Sequence, residues 1–110
     1  MILVYVTHKN EIEAKKVINH LVSKKLVACA NMFPIQSCFV WEQNMQNENE
    51  MVTLLKTQNK LWIKVRDEIK KIHPYKIPCI IKIDVESNKE FEDWIVSETT
   101  QLSKNAKVKK

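Results

Sequence analysis

The sequence contains no glycine, and this absence limits both its turns and its chemistry. Glycine-rich loops that cradle phosphate groups are excluded, because their backbone must approach the ligand more closely than side chains allow. Turns with a positive φ angle must also use other residues. Asparagine occurs nine times and tolerates that conformation best after glycine, so we expect these turns to fall on asparagine, with Asn44 as one such position.

Cysteine is scarce, and its spacing is irregular. The three thiols, Cys29, Cys38 and Cys79, are far apart and form no CxxC pair. This spacing argues against a disulfide framework and against a structural zinc knuckle. We expect each cysteine to be a buried thiol, with a reactive thiol as the alternative.

Long apolar runs are also missing. No run approaches the roughly 18 residues that a membrane-spanning helix needs. Residues 1–6 lack the charged start and the small-residue cleavage site of a secretory signal. We therefore expect a cytoplasmic protein with no membrane partner.

The formal net charge of +5 is concentrated at one end of the chain. Four of the 18 basic residues lie within residues 104–110, whereas all 13 acidic residues precede that segment. No aromatic side chain alternates with these lysines to stack on nucleic-acid bases. We expect one domain over residues 1–103, a disordered basic tail over residues 104–110, and no nucleic-acid partner.

Apolar residues at steps of three and four predict three helices. The first helix follows Asn10, which is a candidate cap because Glu13 stands three positions later. Asn59 is the expected cap of the second helix, which must end at His73 because a proline follows. The third helix is expected to start at a capping box formed by Ser87 and Glu90 and to bury its aromatic residues, Phe91 and Trp94.

Apolar and alternating segments predict the strands, with a polar hairpin over residues 42–49. Pro34 predicts a bend or bulge in one long second strand. The predicted strand segments are 2–7, 26–41, 50–57 and 79–85.

The resulting order of elements predicts an α+β, ferredoxin-like βαββαβ fold with an extra C-terminal helix. We expect an antiparallel sheet with helices on one face and with long, bent second and third strands. Apolar residues on both sides of segment 26–33 imply that the other face is buried as well. Self-association would supply the cover.

The sequence shows no catalytic machinery. It contains no HExxH helix and no Ser-His-Asp order. Glu92 and Asp93 cannot act as a carboxylate pair, because adjacent helix positions point apart. We expect a protein that is not an enzyme.

Four stretches carry a resemblance to one family. Segment 26–31 (LVACAN) resembles an ACxN strand, Trp41 precedes a polar hairpin, segment 50–57 ends in Lys-Thr, and His73-Pro74-Tyr75 forms an HPY motif. In this order they resemble the CutA family of divalent-cation-tolerance proteins, over residues 2 to about 100. Trp94 in the last helix also fits the pattern.

The resemblance implies several properties of the assembled protein. It implies a tight homotrimer of ferredoxin-like subunits, a cytosolic location, and a link to tolerance of copper and other divalent metals. The family also resembles the PII signalling proteins in its trimeric architecture. That likeness implies an alternative function, binding of a small anionic ligand at the clefts between subunits.

The chain departs from the metal-binding members of this family at three positions. Val6 stands where some copper-binding bacterial members have a cysteine, and Ile72 where they have a second histidine. Lys76 follows the HPY motif in place of a carboxylate or amide, and its ammonium has no lone pair for a metal.

His73 is the leading candidate metal ligand, with Cys29 or Cys79 as a soft partner for copper in the reduced state. The alternative is that the His73 imidazole caps the end of the second helix, where a partly positive ring meets the negative end of the helix dipole. His8 and His20 are expected to be ordinary surface or loop groups. The family resemblance adds weight to metal binding at His73.

A second candidate site is a ligand cleft formed by Glu50, Lys56, Tyr75 and Trp41. Glu50 and Lys56 are an even number of residues apart on one strand and therefore share a face. They can bracket a bound anion or metal, or form a surface pair at a subunit boundary. Tyr75 and Trp41 are expected to contact a ligand or to pack as interface anchors.

Overall fold

Residues 1–100 fold into one four-stranded antiparallel sheet with three α-helices. The computed structural model describes residues 1–100. Its elements are β1 (Ile2–His8), α1 (Glu11–Ser23), β2 (Cys29–Trp41), β3 (Asn44–Thr57), a short 3-10 helix (Asn59–Leu61), α2 (Trp62–Ile72), β4 (Ile80–Asp84) and α3 (Lys89–Glu98). The strand order is β2-β3-β1-β4, which confirms the ferredoxin-like arrangement. The predicted tail over residues 104–110 and the domain boundary at residue 103 lie outside the described residues.

Helices α1 and α2 pack on one face of the sheet. Alternate residues of β1 point to that face, so Ile2, Val4 and Val6 are fully buried. They pack with apolar residues of the two helices, which are Val17, Leu21, Val65 and Ile69. Full burial of each such side chain contributes about 1.5–3 kcal/mol to stability.

The opposite face of the sheet is apolar and open to solvent in the single chain. Tyr5 lies across from Leu54 and from Ile81, so all three share this face. Phe33, Ile81 and Ile83 are 38%, 49% and 40% exposed. The sheet therefore has one face covered by helices and one uncovered face.

The β2–β3 hairpin extends beyond the rest of the sheet. β1 pairs with β3 only over residues 51–57, whereas β2 pairs with β3 along the whole strand, from Cys29 opposite Lys56 to Trp41 opposite Asn44. Residues 35–41 and 44–50 thus form a two-stranded arm. The molecule measures 58 × 28 × 21 Å, and its radius of gyration is 15.7 Å, compared with about 13 Å for a compact chain of this length.

Helix α1 begins at the predicted cap and ends in a left-handed turn closed by backbone hydrogen bonds. The backbone N–H of Glu13 donates to the Asn10 side chain at 2.9 Å, which confirms that cap. At the other end Lys25 has a φ of 58°, and the backbone N–H groups of Lys25 and Leu26 donate to the carbonyls of Val22 and Leu21. This is a Schellman motif whose left-handed residue is lysine.

The expectation that asparagine occupies the left-handed positions is wrong. The positive φ angles occur at Lys25, Glu42 and Gln43, and Asn44 is instead the first residue of β3. Glu42 and Gln43 form a two-residue turn between β2 and β3. Their two consecutive positive φ angles give this turn a twist that matches the twist of the flanking strands. Most of the predicted polar hairpin, residues 44–49, is therefore strand.

Other boundaries also differ from the predictions. β2 is one long strand without a bulge, since Pro34 pairs with Met51 in an unbroken register. Proline is tolerated there because β2 is an edge strand. β2 starts at Cys29 and β4 at Ile80, later than expected, because the preceding residues make no ladder pairs.

Two predicted helix caps are absent from the structure. Asn59 lies inside the 3-10 helix, and α2 begins at Trp62 without a side-chain cap. α3 begins after Asn88, and the Ser87 hydroxyl donates to the Asn88 carbonyl and caps no helical N–H. In α3, Ile95 is fully buried, but Trp94 is 41% exposed, contrary to the prediction.

Within residues 1–100, no helix is both long and apolar enough to cross a bilayer.

Candidate functional site

His73 is held by backbone groups on both sides of its ring. It ends α2 in an extended conformation, as the following proline requires. Its Nε2–H donates to the Thr7 carbonyl at 2.8 Å, and its Nδ1 accepts from the backbone N–H of Tyr75 at 3.2 Å. The ring therefore joins β1 to the α2–β4 loop, and it does not cap the end of α2.

His8 is a buried partner of His73, not the surface group that we expected. Its side chain is fully buried at the end of β1, and its ring is stacked on that of His73 with centroids 5.3 Å apart. Nε2 of His8 lies 2.8 Å from the Thr53 hydroxyl, whereas Nδ1 is buried without a hydrogen-bond partner among the described residues. Burial, and secondarily the charge of His73, lower the pKa of His8 to about 4.

Tyr75 connects the His73 ring to the carboxylate of Glu50. The Tyr75 hydroxyl donates to Oε2 of Glu50 at 2.5 Å, and the Tyr75 ring is tilted against the His73 ring at 4.7 Å. Burial, followed by the hydrogen bond to Glu50 and its charge, raises the pKa of Tyr75. The phenol therefore stays protonated and fixes the carboxylate at the end of the sheet.

These groups open into a cleft between the arm and the α2–β4 loop. The cleft has a volume of about 580 Å³. Its lining includes three of the four predicted cleft residues, Trp41, Glu50 and Tyr75, and omits the fourth, Lys56. The other residues of the cleft are Thr7, Ser37, Cys38, Phe39, Gln46, Glu48, Lys76, Ile77 and Cys79.

Lys56 lies away from the cleft. It shares a face of β3 with Glu50, as the spacing predicted, but six strand residues separate them by about 20 Å. Its Nζ lies 5.3 Å from the centre of the Phe91 ring in a cation–π contact. Glu50 and Lys56 therefore do not bracket one ligand within a single chain.

The predicted metal ligands His73 and Cys29 are not close together within one chain. Cys29 lies across from Lys56, and Lys56 lies across from Leu3. The His73 ring is bonded to Thr7, four residues along β1 from Leu3, which corresponds to about 13 Å. Within residues 1–100, no three His, Cys, Asp or Glu side chains are grouped to hold a metal ion.

The remaining histidine and the thiols differ in part from the predictions. His20 is half-buried and contacts Glu68 at 2.9 Å. Cys38 is exposed and donates to the Asn47 side chain, and Cys29 and Cys79 are only partly buried. Burial, and then the charge of Glu50, raise the pKa of Cys79, so this thiol remains protonated near neutral pH.

Two groups that the sequence analysis missed are central to the site. The first, His8, could have been found, because alternation along Ile2, Val4 and Val6 continues to position 8 and places it on the buried face. The second, Glu48, lies in the part of β3 that the sequence did not predict, because the polar composition of residues 44–49 indicated a hairpin turn.

The chain matches one family model and related proteins over most of its length. Residues 2–98 match the model of the CutA1 divalent ion tolerance protein. The divalent-cation tolerance protein CutA of Pyrococcus horikoshii is 37% identical over 100 residues, which cover 90% of this chain and 98% of that protein.

Solved structures agree with this match. The structure of a protein described as the periplasmic divalent cation tolerance protein CutA of Archaeoglobus fulgidus has a TM-score of 0.87 at 39% identity, covering 91% of this chain and all of that one. A PII-like protein CutA from Nostoc has a TM-score of 0.85 over 91% of this chain and 98% of that one, and at 24% identity it shows the fold alone. This chain belongs to the CutA family of divalent-cation tolerance proteins.

Proposed function

We propose that this protein acts in divalent-cation tolerance as a homotrimer that binds or buffers metal ions, copper foremost, without catalysing a reaction. The observation that carries the proposal is the match of residues 2–98 to the model of the CutA1 divalent ion tolerance protein. Within residues 1–100, no three His, Cys, Asp or Glu side chains are grouped to hold a metal ion in a single chain. A metal site needs about three or four converging donors. Assembly brings donors from neighbouring chains to complete it.

The arm and the uncovered face support the assembly. A two-stranded hairpin by itself is marginally stable in water, so residues 35–41 and 44–50 require a surface to pack on. Phe33, Ile81 and Ile83 provide an apolar surface of the kind that marks an interface. The number of copies, three, is proposed from the family resemblance.

His73 is the proposed principal ligand, through Nδ1. That nitrogen accepts a hydrogen bond of 3.2 Å from the backbone N–H of Tyr75, and its lone pair becomes available to a metal when this bond is given up. The Nε2–H bond to Thr7 keeps the ring in the tautomer that metal binding through Nδ1 requires. Cys29 can join this site only from another subunit, because of its distance within one chain.

Calorimetric titration of copper into the reduced protein tests the proposal. We expect stoichiometric binding with a dissociation constant at or below about 1 μM, lost in His73→Gln, whose amide preserves a donor to Thr7. His20→Gln is the matched control, because that histidine lies on α1 and contacts Glu68. Equal, weak binding by all three proteins at unchanged oligomer mass would refute metal binding at His73.

A second candidate function is ligand sensing in the manner of the PII proteins. The cleft of about 580 Å³ favours it, because pockets for small molecules have this size and Trp41, Glu50 and Tyr75 line it. The likeness of the family to the PII proteins implies a small anion as the ligand. A native-state ligand raises the melting temperature by mass action, so a screen of nucleotides and small anions that gives no thermal shift would contradict the anionic class.

We propose the cytoplasm as its location. All three cysteines are free, which fits a reducing compartment. Cell fractionation with an antibody against the chain tests this location, and recovery with periplasmic or membrane markers would contradict it.

A further inference from the structure

The charges lining the cleft are opposite to those that an anionic ligand needs. Glu48 and Glu50 provide two carboxylates, and Lys76 provides the single ammonium. Lys76 is exposed, and within residues 1–100 it forms no ion pair with either carboxylate. Within one chain, the cleft therefore carries a net negative charge.

The negative charge in the cleft helps to raise the pKa values of two neighbouring side chains, Tyr75 and Cys79. The charges of Glu50 and Glu48 help to raise the pKa of Tyr75, and the charge of Glu50 helps to raise the pKa of Cys79. Burial is the larger cause in both cases. The two shifts agree with the count of carboxylates in the cleft.

The cleft also presents three aromatic side chains beside the carboxylates. Phe39 and Trp41 come from the outer part of β2, and Tyr75 comes from the α2–β4 loop. The faces of aromatic rings carry partial negative charge and attract cations within about 6 Å. Rings and carboxylates together therefore attract a positively charged group that also has apolar surface.

A bare metal ion fits this lining poorly. The cleft holds two thiols, but no three His, Cys, Asp or Glu side chains are grouped to bind a metal among residues 1–100. Cys79 remains protonated near neutral pH, and the Cys38 thiol donates a hydrogen bond to Oδ1 of Asn47. Aromatic rings add nothing to coordination of a hard cation, whereas they contribute directly to binding of an alkylated ammonium.

We propose that this cleft binds a small organic cation, a protonated or alkylated amine, between the rings of Phe39, Trp41 and Tyr75 and the carboxylates of Glu48 and Glu50. The volume of about 580 Å³ accommodates such a molecule. The inference rests on the cleft being a ligand site, which is the second candidate function above. It does not depend on metal binding at His73.

The test uses the assembled full-length protein with its tryptophans labelled with ¹⁵N. Three probes are titrated: choline, its uncharged analogue 3,3-dimethylbutan-1-ol, and inorganic phosphate. The indole N–H signal of Trp41 is assigned with Trp41→Phe and reports on the cleft, and those of Trp62 and Trp94 serve as internal references. We expect choline to shift the Trp41 signal saturably and the alcohol to bind about tenfold more weakly.

Matched variants separate charge from shape. The double variant Glu48→Gln/Glu50→Gln keeps the acceptor for Tyr75 and should weaken choline binding about tenfold, whereas Glu11→Gln, on α1, should leave it unchanged. Equal binding of choline and the alcohol, or binding of phosphate at Trp41, would overturn the cationic class while keeping the ligand site. No shift of Trp41 with any probe would overturn both.

Discussion

His8 and His73 form a stacked pair, and the burial of His8 changes how readily its ring takes up a proton. His8 stacks on His73 and lies fully buried, with one nitrogen bonded to Thr53 and the other without a partner. A proton on His8 would have to be buried beside the His73 ring. The native protein therefore binds this proton more weakly than the unfolded chain does.

This difference predicts an acid-sensitive stability in the metal-free protein. The pKa of His8 is lowered from 6.5 to about 4, so between these values the unfolded chain takes up a proton that the native protein refuses. The free energy of unfolding should fall by about 3 kcal/mol as the pH falls from 6.5 to 4, and His8 should add little further loss below pH 4.

Urea unfolding at several pH values, at one protein concentration and with a chelator, measures this effect. His8→Phe should flatten the pH dependence in that window, even if its stability at pH 7 is lower. His20→Gln should keep the slope. Identical slopes for the wild type and His8→Phe would show that His8 does not carry the effect.

The Tyr75–Glu50 hydrogen bond predicts a second residue-scale effect. Tyr75→Phe removes a donor to a carboxylate and should lower the free energy of unfolding by about 2 kcal/mol. Tyr5→Phe is the matched control, because the Tyr5 hydroxyl makes no hydrogen bond within residues 1–100. Equal losses in the two variants, measured by urea unfolding, would mean that the bond to Glu50 contributes nothing.

The helices and strands were largely predictable from the sequence, whereas the residues at which they begin and end were less predictable. Steps of three and four marked α1 and α2, and the proline after His73 ended α2, because these signals are local in sequence. The positive φ angles at Lys25 and at Glu42 were missed, because the Schellman motif and the two-residue turn require them at these positions although neither residue type favours that conformation.

The left-handed residue that follows α1 gives a prediction about that element. Lys25 occupies the left-handed position of a Schellman motif, where glycine has no steric cost. Lys25→Gly should raise the free energy of unfolding by about 1 kcal/mol. Lys24→Gly, at a φ of −88°, gains no such relief and should be neutral or destabilising.

Urea unfolding compares the stability of the two variants with that of the wild type, through the shift of the midpoint at an unchanged m-value. A lower midpoint for Lys25→Gly than for Lys24→Gly would contradict the assignment of strain to position 25.

At the scale of the whole molecule, the sequence pointed to the sheet order and to the uncovered apolar face. It named three residues that line the cleft, Trp41, Glu50 and Tyr75, but not the full lining, because the cleft joins the arm to the α2–β4 loop. Which residues meet there depends on the strand register, and local composition does not encode it. Lys56 illustrates this limit, because it shares the predicted face with Glu50 and yet lies far from the cleft.

The uncovered face predicts how the assembly can be broken. Ile81→Glu places a charge on that face and should convert the proposed trimer into single chains, because an unpaired charge in an apolar interface is costly. Ile12→Glu is the matched control, since Ile12 is 68% exposed on α1. Light scattering after size exclusion reports the mass, and an intact trimer for Ile81→Glu would place the interface elsewhere.

The central claim is that metal binding requires assembly, and native mass spectrometry of the reduced protein with copper tests it most directly. One spectrum reports the number of chains of 13.0 kDa in each particle and the copper ions that each particle holds. We predict copper on particles of three chains, and none on the single chains released by Ile81→Glu. Copper retained by single chains, or a wild-type protein that is monomeric at micromolar concentration, would contradict the account.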